Sequence, residues 1–143
     1  MTVDQISIFV ENKPGKLVEV TETIAAAGID LRAMSIADTT DFGILRVIVD
    51  NPKQALLILQ EAGYLVKPSK VIPVAVDDTP GGLAKTLRTL ANAGIDVEYL
   101  YAFVAHGTDK AYVIIRVGDS DAALTVLHAA GVSIMSEKEM YEM

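Results

Sequence analysis

The chain has 143 residues, of which 51% are apolar, and a formal net charge of -7. This length suits one ordinary domain or two small ones, and the apolar share is ample for a hydrophobic core. The negative charge argues against a surface for nucleic acid. The absence of cysteine excludes disulfides, thiolate metal sites and cysteine nucleophiles.

The N-terminal residues lack the basic and then apolar segments of a signal peptide. No apolar run approaches the roughly 20 residues that a membrane-spanning helix needs. We therefore expect a soluble, cytoplasmic protein with no membrane partner.

The first predicted elements are a strand and a helix. Apolar residues alternate with others over residues 6–10, a period of two that is typical of a strand. The Pro-Gly turn NKPGKL follows at 12–17. Apolar residues then recur at helical spacing over residues 17–24. Gly28 predicts the end of this helix, because glycine readily adopts the left-handed conformation found there.

Two strands, a second helix and a short strand complete the first half of the chain. The strands are predicted near 29–38 and 43–49. Asn51, followed by proline, is typical of a helix start, and Gly63 indicates the end of that helix. A short strand is then predicted at about 64–68.

The second half of the sequence repeats the first. A shift of 66 residues places the Pro-Gly turn on DTPGGL at 78–83 and Gly-Ile-Asp at 28–30 on the same tripeptide at 94–96. A shift of 68 aligns the segments from Ala55 onward, and the last strand is predicted at 132–136. The period is too long for a solenoid, so we infer a tandem duplication.

The order strand-helix-strand-strand-helix-strand, occurring twice, predicts an α+β fold of two ferredoxin-like βαββαβ repeats. We assign residues 1–69 to the first repeat and residues 70–143 to the second, joined through residues 67–70. Both helices of a repeat should lie on one face of its antiparallel sheet. Pro73 is expected at the start of a strand or beside a bulge, because it has no N–H to donate to a neighbouring strand.

Each Pro-Gly turn leads from a strand into a helix. The N–H groups at a helix start have no intrahelical acceptor and carry the positive end of the helix dipole, so a small carboxylate or phosphate can bind there. Gly15 and Gly81 would allow close approach because they have no Cβ. The alternative is a plain tight turn, in which proline and glycine are common for conformational reasons.

The Pro-Gly-x-Leu turn that opens a helix, followed by Ala-Gly-Ile-Asp before the second strand, resembles the ACT domain. The matching stretches here are ENKPGKL with AAAGIDL, and DDTPGGL with ANAGIDV. The resemblance covers essentially the whole chain as two ACT-type repeats with no attached enzyme. It implies a regulatory module that binds a free amino acid. From the residues themselves we expect no catalytic residues, cofactor or metal, because the sequence has no catalytic or nucleotide-binding motif and no paired histidines. The resemblance also implies one continuous antiparallel sheet with the helices on one face.

The resemblance further implies two pseudo-symmetric ligand sites, each made from the turn of one repeat and the start of the second strand of the other. The first site would contain Asn12, Lys13, Gly15, Lys16 and Leu17 with Asp96, Val97, Glu98 and Tyr99. The second site would contain Asp78, Thr79, Gly81, Gly82 and Leu83 with Asp30, Leu31, Arg32 and Ala33. Lysines flank the first turn, whereas Asp77 and Asp78 flank the second. We therefore expect the first turn to favour a ligand carboxylate.

Three classes of function follow from these observations. The favoured one is an amino-acid-binding regulatory or sensor protein that acts on a metabolic enzyme or regulator. The alternatives are a ligand-free protein-interaction module and a small hydrolase on the same fold, such as an acylphosphatase-like enzyme. The hydrolase would need an arginine in the turn to hold a phosphoryl group, and neither turn has one.

We also expect a homodimer, because helices on one face of each sheet leave the other face uncovered. Strand alternation places several apolar side chains on that face. They are Phe9, Ile44, Ile48, Tyr112 and Ile114. An exposed apolar patch of this kind usually marks an interface.

Overall fold

The computed structural model describes residues 1–38, 41–103 and 109–142. The chain divides into two compact units. The first unit is Asp4–Ser69, and the second is Met1–Val3 with Lys70–Met143. The helices and strands are β1 Val3–Glu11, α1 Lys16–Ala26, β2 Leu31–Asp38, β3 Phe42–Val49, α2 Pro52–Glu61, β4 Val66–Asp77, α3 Gly82–Asn92, β5 Val97–Phe103, β6 Lys110–Val117, α4 Ser120–Ala129, β7 Ser133–Ile134 and α5 Glu137–Glu142.

In the first unit the strand order is β2-β3-β1-β4, and β3 pairs antiparallel with both β1 and β2. The core lies between this sheet and its two helices. Ile24 of α1 and Leu59 of α2 pack with Ile8 of β1 and Val47 of β3, and all four are buried. Burial of apolar surface is the main favourable contribution to folding, so this shared core holds both helices on one face of the sheet.

In the second unit the strand order is β7-β4-β6-β5. Leu90 of α3 and Leu127 of α4 pack with Val74 of β4 and Ile115 of β6 in a second buried core. Each unit therefore has the strand order and helix placement of a ferredoxin-like repeat. The predicted α+β fold of two βαββαβ repeats is confirmed.

Strand β4 differs from the prediction. It runs without interruption from Val66 to Asp77, so the predicted join at residues 67–70 lies inside a strand. Pro68 and Ser69 interrupt the local strand pattern of the sequence, which is why a join was predicted there. In the structure, the side chain of Gln5 donates a hydrogen bond to the Ser69 hydroxyl at 3.2 Å. A contact across 64 residues of sequence cannot be read from local composition.

The prediction for Pro73 is wrong, because this residue lies in the interior of β4 and opposite Ile114 without a register shift. Its carbonyl oxygen accepts a hydrogen bond from the Met135 N–H at 2.9 Å. The neighbouring strand β7 ends at Ile134. Pro73 lies beside the end of β7, so only one hydrogen bond at the end of that ladder is lost because proline has no N–H. The free-energy cost of the proline is therefore limited.

The C-terminal helix α5 was not predicted; it follows the strand expected at 132–136, which is shorter than predicted. Only Ser133 and Ile134 form that strand. Ser136 and Glu139 then form a reciprocal cap. The Glu139 N–H donates to the Ser136 hydroxyl at 3.2 Å, and the Ser136 N–H donates to the Glu139 carboxylate at 2.7 Å.

The apolar patch expected on the uncovered sheet faces is not present in the expected form. Ile48 and Ile114 are fully buried, although neither belongs to the two cores described above. Phe9 and Ile44 face each other in the β1–β3 ladder and are half-buried. Strand alternation gives the face of a side chain correctly but does not show what covers that face.

None of the helices in the described part of the chain is both long enough and apolar enough to cross a bilayer.

Candidate ligand site at the two Pro-Gly turns

The two Pro-Gly turns have the same backbone conformation. Gly15 has φ 86° and ψ -12°, and Gly81 has φ 86° and ψ -4°. This left-handed region is costly for residues that have a Cβ, which explains glycine at both positions. A Cβ built on either glycine would meet no atom within 4 Å. The space beside each helix start is therefore open.

The helices that follow these turns begin without a side-chain cap. By contrast, Asn51 caps α2 and Asp119 caps α4, since each side chain accepts a hydrogen bond from a first-turn N–H. In α1 the first helical bond runs from the Glu19 N–H to the Gly15 carbonyl oxygen at 3.1 Å. The N–H groups of Leu17 and Val18 precede this bond, and no acceptor for them lies among the described residues. They can hold a carboxylate.

Asn12 anchors the first turn to the neighbouring strand connection. Its backbone N–H donates to the Asp41 carbonyl oxygen at 3.1 Å, and its side-chain amide donates to the Asp38 carboxylate at 2.6 Å. The hydrogen bond to an ionised group is a strong one. Asn12 therefore fixes the position of the turn, and one of its two amide N–H donors is already used.

The lysines of the first turn lie beside carboxylates. Lys13 Nζ is 3.1 Å from Glu11 Oε2, and Lys16 Nζ is 3.4 Å from Glu19 Oε2. The hydrogen bond from Lys13 lowers the pKa of the Glu11 carboxyl. All these groups are well exposed, so each pair contributes little to stability. Because each lysine is paired with a glutamate, the positive potential at this turn is lower than the sequence predicts.

At the second turn a lysine offsets the negative charge of an aspartate. Lys110 donates a hydrogen bond from Nζ to the Asp77 carboxylate, which lowers the pKa of Asp77 and raises the pKa of Lys110. The Gly82 N–H donates to the Thr79 carbonyl oxygen at 3.0 Å and closes the turn. The charge difference between the turns is therefore smaller than the sequence alone indicates.

The strand residues predicted for the second site lie at the start of β2. The Asp30 N–H donates to the Asp50 carboxylate at 3.0 Å, and Arg32 Nη1 is 3.2 Å from Asp30 Oδ2. Leu31 packs against the first core and Ala33 is buried. Asp30 and Arg32 are therefore the side chains that remain able to contact a ligand here.

The strand residues predicted for the first site lie at the equivalent start of β5. Asp96 and Glu98 are exposed, Val97 packs against the second core, and Tyr99 is half-buried. Glu98 Oε2 is 3.4 Å from Arg116 Nε. Both strand starts contain a register shift against their neighbour, which brings the bulge residues out of the regular ladder.

Within one unit, the turn and the second-strand start lie at opposite ends of the sheet. Glu11 is opposite Phe42 at one end of β3, whereas Leu31 is opposite Val49 at the other. Seven residues of strand correspond to roughly 20 Å. A single unit therefore cannot bring its own two halves together, and the predicted combination of halves from both repeats stays a prediction.

Each unit also contains a cavity beside its turn that the sequence reading did not predict. In the first unit the cavity has a volume of about 370 Å³ and is lined by Glu11, Lys16 and Glu19 among others. In the second unit it has a volume of about 170 Å³ and is lined by Asp77 and Lys85 among others. In the sequence, the only signal of these cavities is the difference between the side chains at corresponding positions of the two repeats.

Comparison with known proteins gives consistent matches over the whole chain. A family model described as an ACT domain pair matches residues 1–143. The solved structure of protein BT0572 from Bacteroides thetaiotaomicron is 38% identical to this chain, with a TM-score of 0.94, and the match covers 100% of this chain and 98% of that one. No match was found among curated proteins.

Two further solved structures share the fold. The regulatory subunit of aspartate kinase from Thermus thermophilus, in its ligand free form, is 24% identical with a TM-score of 0.63, covering 89% of this chain and 91% of that chain. The corresponding subunit from Thermus flavus is 18% identical with a TM-score of 0.61, covering 90% and 92%. At these identities the likeness concerns the fold alone.

Proposed function

Because the chain belongs to the ACT domain pair family, we propose that it is a regulatory protein that binds a free amino acid at its Pro-Gly turns. The observation that carries this proposal is the pair of uncapped helix starts. Each follows a glycine with φ 86°, and the helices with capped starts, α2 and α4, lie elsewhere in the repeats. A ligand carboxylate would accept hydrogen bonds from the free N–H groups and would also lie at the positive end of the helix dipole.

The protein acts on a partner rather than as a catalyst in this proposal. The residues at its turns present backbone N–H groups and lysines paired with glutamate or aspartate, and neither turn contains the arginine that phosphoryl transfer would need. An amino acid that binds one conformation more tightly than another shifts the population toward it. A metabolic enzyme or a regulator that recognises that conformation would then sense the amino acid.

A thermal-shift screen of the twenty amino acids tests this function. A ligand at a hundred times its dissociation constant adds about 2.7 kcal/mol to stability, which raises the unfolding midpoint by several degrees. The amide derivative of the stabilising amino acid is the control, because it lacks the carboxylate and should not stabilise. If none of the twenty amino acids raises the midpoint at millimolar concentration, amino-acid binding is contradicted.

A second function, protein interaction without a ligand, is favoured by one edge of the first sheet. Strand β2 is at the end of the strand order in its unit, and Met34 and Ile36 on it are 48% and 53% exposed. An exposed apolar edge strand readily pairs with another chain. We propose a homodimer through this edge. Light scattering should then give a dimer mass that Ile36→Lys converts to the monomer mass, whereas a wild-type monomer at micromolar concentration would contradict it.

A further inference from the structure

The cavities of the two units occupy the same place in their repeats. Each lies where the first strand ends, beside the first turn of the next helix and the turn that follows the second helix. The ladders show the correspondence directly, because Glu11 is opposite Phe42 in β3 and Asp77 is opposite Lys110 in β6. The two cavities can therefore be compared residue by residue.

The side chains at four corresponding positions differ in the same direction, whereas Lys16 and Tyr64 of the first cavity correspond to Gly82 and Val132 in the second. The first unit has carboxylate or apolar groups where the second unit has ammonium or hydroxyl groups. The pairs are Glu19 and Lys85, Val20 and Thr86, Phe42 and Lys110, and Leu65 and Ser133. Each of these four differences adds a hydrogen-bond donor or a positive charge to the cavity of the second unit.

Thr86 is the most informative of these positions. Its counterpart Val20 is part of the first hydrophobic core and is fully buried. Thr86 is only 5% exposed and lines the cavity, so its hydroxyl group replaces apolar core. In the same helix the Thr89 hydroxyl donates to the Lys85 carbonyl oxygen at 3.1 Å. For the Thr86 hydroxyl, no hydrogen-bond partner exists within residues 1–38, 41–103 and 109–142.

The Thr86 side chain is buried, but its hydroxyl oxygen is not one of the polar atoms that are both buried and unpartnered, so it reaches the space of the cavity. Because it has no partner in the described protein, it is available to bond to what the cavity contains. A ligand oxygen in the cavity would accept the proton of the Thr86 hydroxyl.

The charges of the second cavity favour an anion. Two ammonium groups, Lys85 and Lys110, face one carboxylate, Asp77, which already pairs with Lys110. Lys85 forms no ion pair with any residue that the structure describes, although after Lys110 its charge also lowers the pKa of the Asp77 carboxyl. In the first unit the ratio is reversed, with Glu11 and Glu19 against Lys16, and Lys16 pairs with Glu19.

We propose that the cavity of the second unit binds a small anion, a carboxylate or a phosphate group, through Lys85 and the Thr86 hydroxyl. The cavity volume of about 170 Å³ exceeds more than tenfold the roughly 10–15 Å³ that one water molecule requires. A group of a few heavy atoms therefore fits. This site differs from the N–H groups of the Pro-Gly turns, so it stands whether or not an amino acid binds there.

Titration of the ¹⁵N-labelled protein with inorganic phosphate, and separately with acetate, tests the site by NMR. Both titrations are run at constant ionic strength against sodium chloride. Saturable amide shifts are expected at Lys85, Thr86, Gly131 and Ser133. Tighter binding of phosphate would assign a phosphate ligand, and tighter binding of acetate would assign a carboxylate; both support the proposal.

Two variants restore the residues of the first unit. Thr86→Val should weaken binding by about tenfold, which is the effect of losing one hydrogen bond to a charged group. Lys85→Glu should abolish it. The control Lys53→Glu makes the same charge change at an exposed position of α2 and should leave the affinity within about twofold.

Three outcomes would overturn the site. The shifts could match those caused by chloride, Lys53→Glu could weaken binding as much as Lys85→Glu, or the shifts could centre on the amides of residues 15–18 in the first unit. The amide spectrum also shows whether each variant remains folded, and Thr86→Val tests the hydroxyl on its own if Lys85→Glu does not fold.

Discussion

Gly82 lies so close to Asp77 that a Cβ on the glycine would be 2.1 Å from the Asp77 carbonyl oxygen. The corresponding residue of the first unit is Lys16, which carries a full side chain. The second turn therefore folds more closely against the end of its strand than the first turn does. The duplicated sequence has kept the glycine conformation at Gly15 and Gly81 while the position after it has diverged.

Gly82→Ala is expected to lower the free energy of unfolding by about 1–3 kcal/mol, because the backbone must move to admit the Cβ. Urea denaturation measures the change. The matched control is Lys16→Ala, which removes an exposed side chain at the equivalent position and should change stability by less than about 0.5 kcal/mol. Equal effects of the two substitutions would show that the close contact is not a constraint.

Lys110→Met is expected to raise the pKa of Asp77 toward its ordinary value, because the hydrogen bond and charge that lower it are removed. The folded pKa of Asp77 lies below its unfolded value. The pair therefore stabilises the fold above the unfolded pKa, and this contribution is lost as the pH falls through the folded pKa.

Carboxyl NMR titration of Asp77 checks this prediction, with Lys53→Met as a control that leaves the pair intact. Lys110→Met should lower the free energy of unfolding at neutral pH and have little effect on it well below the folded pKa of Asp77. A pKa of Asp77 that does not change in Lys110→Met would mean that the ion pair is absent in solution.

Asn51→Ala and Asp119→Ala should each lower the free energy of unfolding by about 1 kcal/mol, since each removes the side-chain cap of a helix. Urea denaturation again provides the measurement. Ser120→Ala is the control, because Ser120 follows the cap of α4 and is not the residue that accepts its first-turn N–H. Loss of stability in the control alone would contradict the assignment of Asp119 as the cap.

Local patterns in the sequence predicted the elements of each repeat. The alternation at Ile6, Ile8 and Val10 places these three residues in one buried core, and Asn51 caps α2 as expected. Periodicity and caps are local signals, so a single sequence contains them. The left-handed glycines of the two turns belong to the same class of signal.

Contacts between residues far apart in the sequence could not be predicted from such local patterns. Asp77 and Lys110 are 33 residues apart, and their pairing depends on the β4–β6 register rather than on any local pattern. The interior position of Pro73 depends on where β7 ends. The cavity around Thr86 likewise forms only when the helix, the strand and the α4–β7 turn come together.

Isothermal titration of the stabilising amino acid with the wild type, Gly15→Ala and Gly28→Ala tests most directly whether the ligand binds at the Pro-Gly turn. Both glycines flank α1 with positive φ, and at both a Cβ would meet no atom within 4 Å, so the two substitutions introduce similar backbone strain. Gly15→Ala should weaken binding by at least about tenfold, because its Cβ would lie beside the free N–H groups, and Gly28→Ala should leave the affinity nearly unchanged. Equal affinities of folded Gly15→Ala and the wild type would contradict amino-acid binding at this turn.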